Sequence, residues 1–242
     1  MVVTLNIEDY IEGIFSLIFV IISIIVGLVI LSKYFKHKNR LLIYVGLSWI
    51  GIVSPWYPSA INFLYVLLTN QSLSDPVYFA IGNIPPPIVL FIWFIAFTEF
   101  INKGIQKQLL LIYGTIAVIY EIFLIFFLFN DLSYVGYKSD IFASEHTSFV
   151  MIFLIAVVFV VLITGLLFAR ESLRSDNPEI RLKGKFLAVA FISWTVGSII
   201  DSGFDLGAGV LIIIRILLIS SAIEFYLGFI MPERIKNLLL KQ

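Results

Sequence analysis

The chain of 242 residues contains no cysteine and only two histidines. The absence of cysteine excludes disulfides, thiolate metal sites and a thiol nucleophile. The two histidines, His37 and His146, fall in connecting segments, which excludes a histidine-based metal or general-base cluster inside an apolar segment. No serine is paired with a plausible base along one helix face. We therefore expect no metal, no cofactor and no enzymatic activity.

Charged residues are also scarce. They make up 13% of the chain, against about 25% in soluble domains, whereas hydrophobic residues make up 60%. This composition is typical of integral membrane proteins. The net charge is zero and the basic residues cluster near helix ends, so we expect no nucleic-acid partner. The first residues are acidic and unlike a cleaved signal peptide, which predicts that the first apolar run is a permanent span.

Seven apolar stretches are long enough to cross a bilayer, which takes about 20 residues at a rise of about 1.5 Å each. They cover approximately residues 12–33, 41–68, 77–101, 108–129, 148–170, 185–206 and 209–231. The connections between them are short and polar, so no separate soluble domain is expected. The sequence predicts a single domain over residues 1–242, an all-α integral membrane protein built as a seven-helix bundle, with the lipid bilayer as a partner.

Lysine and arginine are distributed unevenly between the two ends of this predicted bundle. Fourteen of them follow spans one, three, five and seven, whereas the N-terminus and the loops after spans two and four hold only Lys138. Cytoplasmic loops of membrane proteins are enriched in these residues. We therefore predict a multi-pass protein of the cell membrane, with its N-terminus outside and its C-terminus in the cytoplasm.

Prolines interrupt two of the predicted spans. The stretch SPWYPS, residues 54–59, places Pro55 and Pro58 near the middle of span two, where each removes a backbone donor and favours a kink. The stretch NIPPPI, residues 83–88, predicts that the helix of span three begins at Pro85–Pro87. Residues 77–84 would then form a kinked or extended portion of that span.

Three formal charges lie between apolar flanks in SIIDSGFDLGAGVLIIIR, residues 198–215. A bend near Gly207–Gly209 would place Asp201 and Arg215 at the same depth in an antiparallel helix pair, with Asp205 nearer the surface. We predict an ion pair between Asp201 and Arg215, because an unpaired charge in a bilayer costs several kcal/mol. Such a pair can fix the helix register, or it can form the charged rim of a ligand or ion site.

Two further carboxylates lie in apolar runs. Glu121 in span four is at a depth similar to that of Arg215, so it can be a second partner for the guanidinium or a neutral acid. Glu224 in span seven lies deeper, beside Ser220 and Ser221. Carboxylates in both halves of the bundle can mark a proton or cation path, and they can equally hold helices together.

Aromatic residues near the proline kinks favour a pocket for a small molecule. Trp56 and Tyr57 lie in the SPWYPS stretch, and Trp93 follows the proline run of span three. Kinked helices open space between neighbours, and aromatic walls with few polar groups are typical of ligand sites. Ordinary aromatic packing is the alternative. Retinal is excluded, because the last span has Arg215 as its only basic residue and no lysine for a Schiff base.

The stretch NIPPPIVLFIWFIAFTEFINK, residues 83–103, resembles part of the seven-helix membrane modules that precede histidine kinase and diguanylate cyclase domains. In those modules a Pro-Pro pair opens a helix that ends in a Phe-Ala-Leu-Glu-Tyr-Thr-Gly-like run. The matching positions here are Pro86–Pro87 and residues 97–100. Residues 232–242 carry no output domain, so the resemblance implies either a free-standing sensor that signals through another protein or a module put to a different use.

These features together predict a membrane sensor or receptor-like protein. The ligand would enter from the outer side into a pocket walled by aromatic residues, and the basic loops would pass the signal to a cytoplasmic or membrane partner. The predicted site residues are Trp56, Tyr57, Trp93, Asp201 and Arg215. The alternatives are a transporter or proton/cation channel that uses Glu121 and Glu224, and a structural subunit of a membrane complex.

Overall fold

The computed structural model describes residues 4–203 and 208–240, and its regular elements there are helices apart from one short hairpin. The helices are α1 (Ile7–His37), α2 (Leu41–Ile52), α3 (Tyr57–Thr69), α4 (Asp75–Asn83), α5 (Pro85–Ile101), α6 (Gln106–Asn130), α7 (Ser148–Leu173), α8 (Pro178–Gly203), α9 (Ala208–Phe229) and α10 (Glu233–Leu240). Seven helical segments are long and apolar enough to cross a membrane. This confirms the predicted all-α bundle and indicates a multi-pass membrane protein. Asp205 and Gly207 lie outside the described residues.

Helix α1 begins at Ile7, well before the predicted start of span one. A reciprocal capping box explains the earlier start, because the backbone N–H of Asp9 donates to Asn6 Oδ1 at 3.0 Å, and that of Asn6 donates to Asp9 Oδ2 at 2.7 Å. The longer helix carries Glu12 in its second turn. Glu12, which the sequence placed at the very start of span one, is therefore flanked by helix on both sides.

The second spanning segment is interrupted where its prolines predicted a kink. Helix α2 ends at Ile52, and a 3-10 turn over Ser54–Trp56 leads into α3. An interruption leaves carbonyl groups without their usual helical partners. The hydroxyl of Tyr57 donates to one of them, the carbonyl of Ile50, at 2.5 Å.

The third spanning segment is also divided at its proline run. Helix α4 ends at Asn83 and α5 begins at Pro85, as the sequence predicted. Ile84 between them keeps a helical backbone, with φ of −71° and ψ of −40°. The portion before the prolines is therefore a short helix joined at a break, not an extended segment.

Six of the seven spanning segments form a closed ring in the described part of the chain. Around the ring, α1 packs against α2 and α3, α2 against α5, α5 against α7, α7 against α8, and α8 against α9, which returns to α1. Helix α6 lies outside this ring and packs chiefly against α4 and α5. It consequently has the least buried apolar stretch of the seven segments.

Aromatic side chains fill the centre of the ring. Trp49 stacks on Phe225 with ring centroids 3.9 Å apart, and Trp93 lies 5.5 Å from Phe191. All four side chains belong to one buried apolar cluster. At the depth of these four side chains the interior of the ring is filled by close packing, as in an ordinary protein core.

The two ends of the bundle differ in charge. The N-terminus and the connections 70–74 and 131–147 lie at one end, which we call the acidic end. The connections 38–40, 102–105 and 174–177 lie at the other, together with α10, and we call this the basic end. The names follow from the uneven distribution of lysine and arginine in the sequence.

A hairpin covers part of the acidic end. Strand β1 (Gly136–Lys138) pairs antiparallel with β2 (Ser144–His146), and we call residues 136–146 the lid. Phe142 at the tip of the lid is buried and packs edge-on against Phe63 of α3, with centroids 6.0 Å apart. The sequence predicted only a polar connection here, because a few apolar residues in a loop give no periodic signal.

Candidate functional site

The predicted ion pair is present between neighbouring antiparallel helices. Nη1 of Arg215 in α9 lies 3.3 Å from Oδ2 of Asp201 in α8. The two side chains are only 4% and 11% exposed, so both charges have lost nearly all contact with solvent. Their mutual attraction offsets part of the desolvation penalty that burial imposes.

Trp56 joins this ion pair from the far side of the ring. Its indole Nε1 donates to Oδ2 of Asp201 at 2.6 Å, and its ring packs edge-on against Phe19. The 3-10 turn between α2 and α3 sets the position of the indole. The sequence placed Trp56 and Asp201 in one predicted site, but their direct hydrogen bond joins residues 145 positions apart and had no local signal.

Glu12 is the fourth member of this group and was missed in the sequence. It lies within electrostatic range of both Arg215 and Asp201. The sequence did hold a signal, because Asp9, Gly13 and Ser16 recur at helical spacing beside Glu12. The structure buries all three on α1. We call Glu12, Trp56, Asp201 and Arg215 the Arg215 cluster.

Polar side chains of α3 and α4 clamp the tip of the lid. The hydroxyls of Tyr78 and Ser59 donate to the carbonyl of Phe142 at 2.6 and 2.9 Å, and Nδ2 of Asn62 donates to the carbonyl of Ile141 at 2.7 Å. Tyr78 also lies within electrostatic range of Glu12 and Arg215. The clamp therefore adjoins the Arg215 cluster.

A lysine holds the lid at the end of β1 next to the tip. Nζ of Lys138 donates to Ser72 Oγ at 2.6 Å and lies 3.8 Å from Asp75. Burial lowers the pKa of Lys138 below its usual value, and the charge of Asp75 opposes this shift. These contacts tie β1 to the start of α4 and to the connection before it.

His146 occupies the other strand of the lid and faces α4. Its ring packs edge-on against Phe79 with centroids 5.5 Å apart, beside a small cavity of about 20 Å³ that Pro58 and Asn83 also line. Burial lowers the pKa of His146 to about 4, because the surroundings disfavour the imidazolium. The imidazole is therefore neutral near pH 7.

The other two predicted aromatic site residues, Trp93 and Tyr57, form their hydrogen bonds with residues outside the Arg215 cluster. Nε1 of Trp93 donates to Thr164 Oγ1 of α7 at 2.8 Å, and its ring packs beside Phe168. Tyr57 is engaged with its own segment at Ile50. Of the predicted site residues, the structure thus brings together Trp56, Asp201 and Arg215.

The two carboxylates in apolar runs, Glu121 and Glu224, lie in different parts of the bundle. Glu121 of α6 lies near Tyr113 and Tyr120, and neither of its carboxylate oxygens has a hydrogen-bond partner among the described residues. Because α6 is outside the ring, the structure does not pair Glu121 with Arg215. Glu224 of α9 lies beside Ser193 and Ser220.

The Arg215 cluster offers hydrogen-bond donors and carboxylates but no metal-binding arrangement. Within residues 4–203 and 208–240, no group of three or more metal-ligating side chains is positioned to hold an ion. Nε and Nη1 of Arg215 are buried without a hydrogen-bond acceptor in the same ranges. Such donors are suited to a carboxylate, phosphate or carbonyl oxygen.

Comparison with protein families and with curated sequences adds no relative to this picture. The geometry of the Arg215 cluster and its lid is therefore the basis on which a function can be proposed. No protein-family model and no curated protein sequence matches this chain.

Proposed function

We propose that this chain is a sensor or receptor-like protein of the cell membrane that binds a small polar ligand at the Arg215 cluster. In this proposal the acidic end, with the N-terminus, faces outward, and the C-terminus is cytoplasmic. The concentration of basic residues at the opposite end supports this orientation. The likeness of residues 83–103 to sensor modules supports the functional class, and helix α5 opens at the proline run on which that likeness depends.

The observation that carries the proposal is the state of the Arg215 guanidinium. It is buried, its contact with Asp201 is an ion pair without an aligned hydrogen bond, and Nε and Nη1 lack acceptors among the described residues. A buried donor without an acceptor costs about 1–3 kcal/mol. A ligand that supplies an acceptor would recover this energy as binding affinity.

The acids of the cluster narrow the ligand class. Glu12 and Asp201 both lie near Arg215, so a purely anionic ligand would meet two carboxylates. A zwitterion suits both the guanidinium and the carboxylates, since its anionic group can accept hydrogen bonds from Arg215 while its ammonium group faces Glu12. We therefore propose small zwitterions, such as free amino acids, as the first class of ligand to test.

Binding would act on the ring through the lid and Trp56. We expect entry from the acidic end to release the hydrogen bonds that hold the lid to α3 and α4. A ligand that competes for Asp201 would also weaken the bond from Trp56, which lies at the break between α2 and α3. The helices would then have two alternative packings, with and without the bond from Trp56, that differ in ligand affinity. The loops 33–40 and 170–185 would present the change between them to a cytoplasmic or membrane partner.

Thermal unfolding of the detergent-purified protein tests the proposal, with free amino acids, simple amines and simple carboxylates as probes. We expect at least one zwitterion to raise the Tm of the wild type, and Arg215→Lys and Glu12→Gln to abolish that shift. Trp93→Phe is the matched control and should keep it, because Trp93 bonds to Thr164 outside the cluster. A shift that survives in Arg215→Lys, or no shift with any probe, would contradict the proposal.

Transport of a proton or cation is the second candidate. It is favoured by Glu121 and Glu224, which each have a buried carboxylate oxygen without a hydrogen-bond partner among the described residues. Against it, α6 packs chiefly on α4 and α5, whereas α9 packs chiefly on α1 and α8. Proton flux into dye-loaded liposomes that Glu224→Gln abolishes would favour transport, and liposomes without flux would exclude it.

A further inference from the structure

A large cavity lies at the basic end, remote from the Arg215 cluster. Its volume is about 510 Å³, and it is lined by the ends of α1, α8 and α9 and by the start of α10. The lining contains four lysines and two glutamates and therefore has a net positive charge. The lysines are Lys33, Lys36, Lys183 and Lys236.

The acids of the cavity do not neutralise all of these lysines. Glu179 holds two of them, with Lys236 Nζ at 2.7 Å and Lys183 Nζ at 2.9 Å. Lys33 and Lys36, one turn apart on α1, form no ion pair with any acid in residues 4–203 and 208–240. Two ammonium groups are thus available to one incoming anion.

The surroundings of the cavity suit a site at the surface of a bilayer. Tyr226 and Phe229 of α9 give it an apolar wall beside the charged rim. Helix α10 begins at that rim, and its Leu238 and Leu239 are exposed while Lys236 faces Glu179. A short helix with apolar residues on one side and basic residues on the other is typical of an interfacial position, at the depth of lipid headgroups.

We propose that this cavity binds a phosphate group, carried by an anionic lipid or by a soluble phosphate ester, through Lys33 and Lys36. Lysine ammonium groups bind phosphate as point charges, and basic pockets beside membrane-spanning helices are suited to anionic headgroups. The Glu179 network holds α10 against α8 and so fixes that wall of the cavity. This site does not depend on the sensor function proposed above.

Native mass spectrometry of the purified full-length chain in neutral detergent tests the proposal. The probes are phosphatidic acid, phosphatidylcholine, glycerol 3-phosphate and inorganic phosphate, each titrated separately. We expect phosphatidic acid to bind in preference to phosphatidylcholine. Each basic residue near an anionic surface strengthens binding about fivefold, so Lys33→Gln with Lys36→Gln should weaken it about thirtyfold.

The matched control is Lys103→Gln with Lys107→Gln, which removes the same charge from the same end of the bundle but outside the cavity. It should leave the affinity unchanged. Tight binding of glycerol 3-phosphate or inorganic phosphate that is lost in the cavity variant supports a soluble phosphate as the occupant, whereas phosphatidic acid alone supports a lipid. Equal weakening by both double variants, or no preference over phosphatidylcholine, would overturn the proposal.

The single substitution Lys36→Gln guards against misfolding of the double variant. Lys36 is exposed, so its replacement should not alter the Tm measured without lipid. It should still weaken phosphatidic acid binding about fivefold. If this folded variant bound phosphatidic acid as tightly as the wild type, the proposed site would be wrong.

Discussion

One carboxylate oxygen of Asp201 serves two partners. Oδ2 lies 3.3 Å from Nη1 of Arg215 and accepts from the indole of Trp56 at 2.6 Å. Because the three residues belong to α9, α8 and the turn before α3, one side chain connects three spanning segments. The ion pair therefore has an architectural role whether or not a ligand also uses it.

We expect Asp201→Asn and Arg215→Gln each to lower the unfolding free energy by about 3–5 kcal/mol, because each removes the ion-pair partner of a buried charge. The double variant should lose less than the sum of the two. Unfolding in detergent with a double-mutant cycle measures this coupling. The exposed pair Arg174–Glu171, at 3.4 Å, is the matched control. Breaking it should cost at most about 1 kcal/mol, and equal costs for both pairs would contradict the argument from burial.

His146 makes the lid sensitive to acid. Its folded-state pKa of about 4 lies below the usual 6.5, so the folded protein takes up this proton less readily than the unfolded chain. The contribution of His146 to stability should be complete above pH 6.5 and decline as the pH falls toward 4. The Tm should therefore fall more steeply over this range in the wild type than in His146→Gln. Parallel curves for the two proteins would contradict a lowered pKa of His146 in the folded protein.

The lid is an element held by side chains of other elements. Its two strands are three residues long, and a hairpin of that size is marginal by itself. The bonds from Tyr78, Ser59 and Asn62 to its backbone supply the missing stability. Opening of the lid is therefore governed by α3 and α4.

We expect Tyr78→Phe to open the lid more often, because it removes the hydroxyl that donates to Phe142. A loss of about 1 kcal/mol corresponds to roughly fivefold faster amide hydrogen exchange in the lid. Exchange of a peptide that contains Ser139 and Asp140 reports this, because both amides donate to the carbonyl of Ala143. Tyr137→Phe is the control, since its hydroxyl bonds to Glu145 on the exposed side of the lid. Equal exchange in the two variants would contradict the clamp.

Helices α1 and α2 approach closely at two facing glycines. A Cβ at Gly46 would lie 2.6 Å from the carbonyl oxygen of Gly27, and a Cβ at Gly27 would lie 2.7 Å from that of Gly46. We expect Gly46→Ala to separate the helices and cost about 1–3 kcal/mol. Gly209→Ala is the control, because no atom of the described residues lies within 4 Å of its added Cβ. The Tm of both variants in detergent tests this expectation. An unchanged Tm in Gly46→Ala would show that the two helices can move apart at little cost.

At the scale of the whole molecule, the ring defines two ends whose placement in a membrane can be measured. The chain lacks cysteine, so a single introduced thiol can be labelled without background. We expect a membrane-impermeant maleimide to label Ser139→Cys on intact cells and Asp176→Cys only after permeabilisation. Both positions are exposed, at the acidic and basic ends respectively. The reverse pattern would invert the proposed orientation.

Local features of the sequence predicted much of this fold. Apolar runs indicated the seven segments, prolines indicated the breaks before Trp56 and at Pro85, and equal depth indicated the pair of Asp201 and Arg215. The bond from Trp56 to Asp201 and the clamp on Phe142 could not be predicted, because each depends on which helices become neighbours. Helix order in a ring is set by side-chain packing summed over whole faces, and short motifs do not encode it.

The closure of the ring between α1 and α9 has a consequence for biosynthesis. These two helices touch along their lengths, yet they are separated by nearly the whole chain. At about 5–20 residues per second, the ribosome completes α9 roughly 10–40 seconds after α1. During that interval the face of α1 that carries Ser16, Ser23 and Glu12 has no Arg215 beside it. We therefore expect this face of the first helix to need shelter, from a translocon or a chaperone, until the last helix arrives.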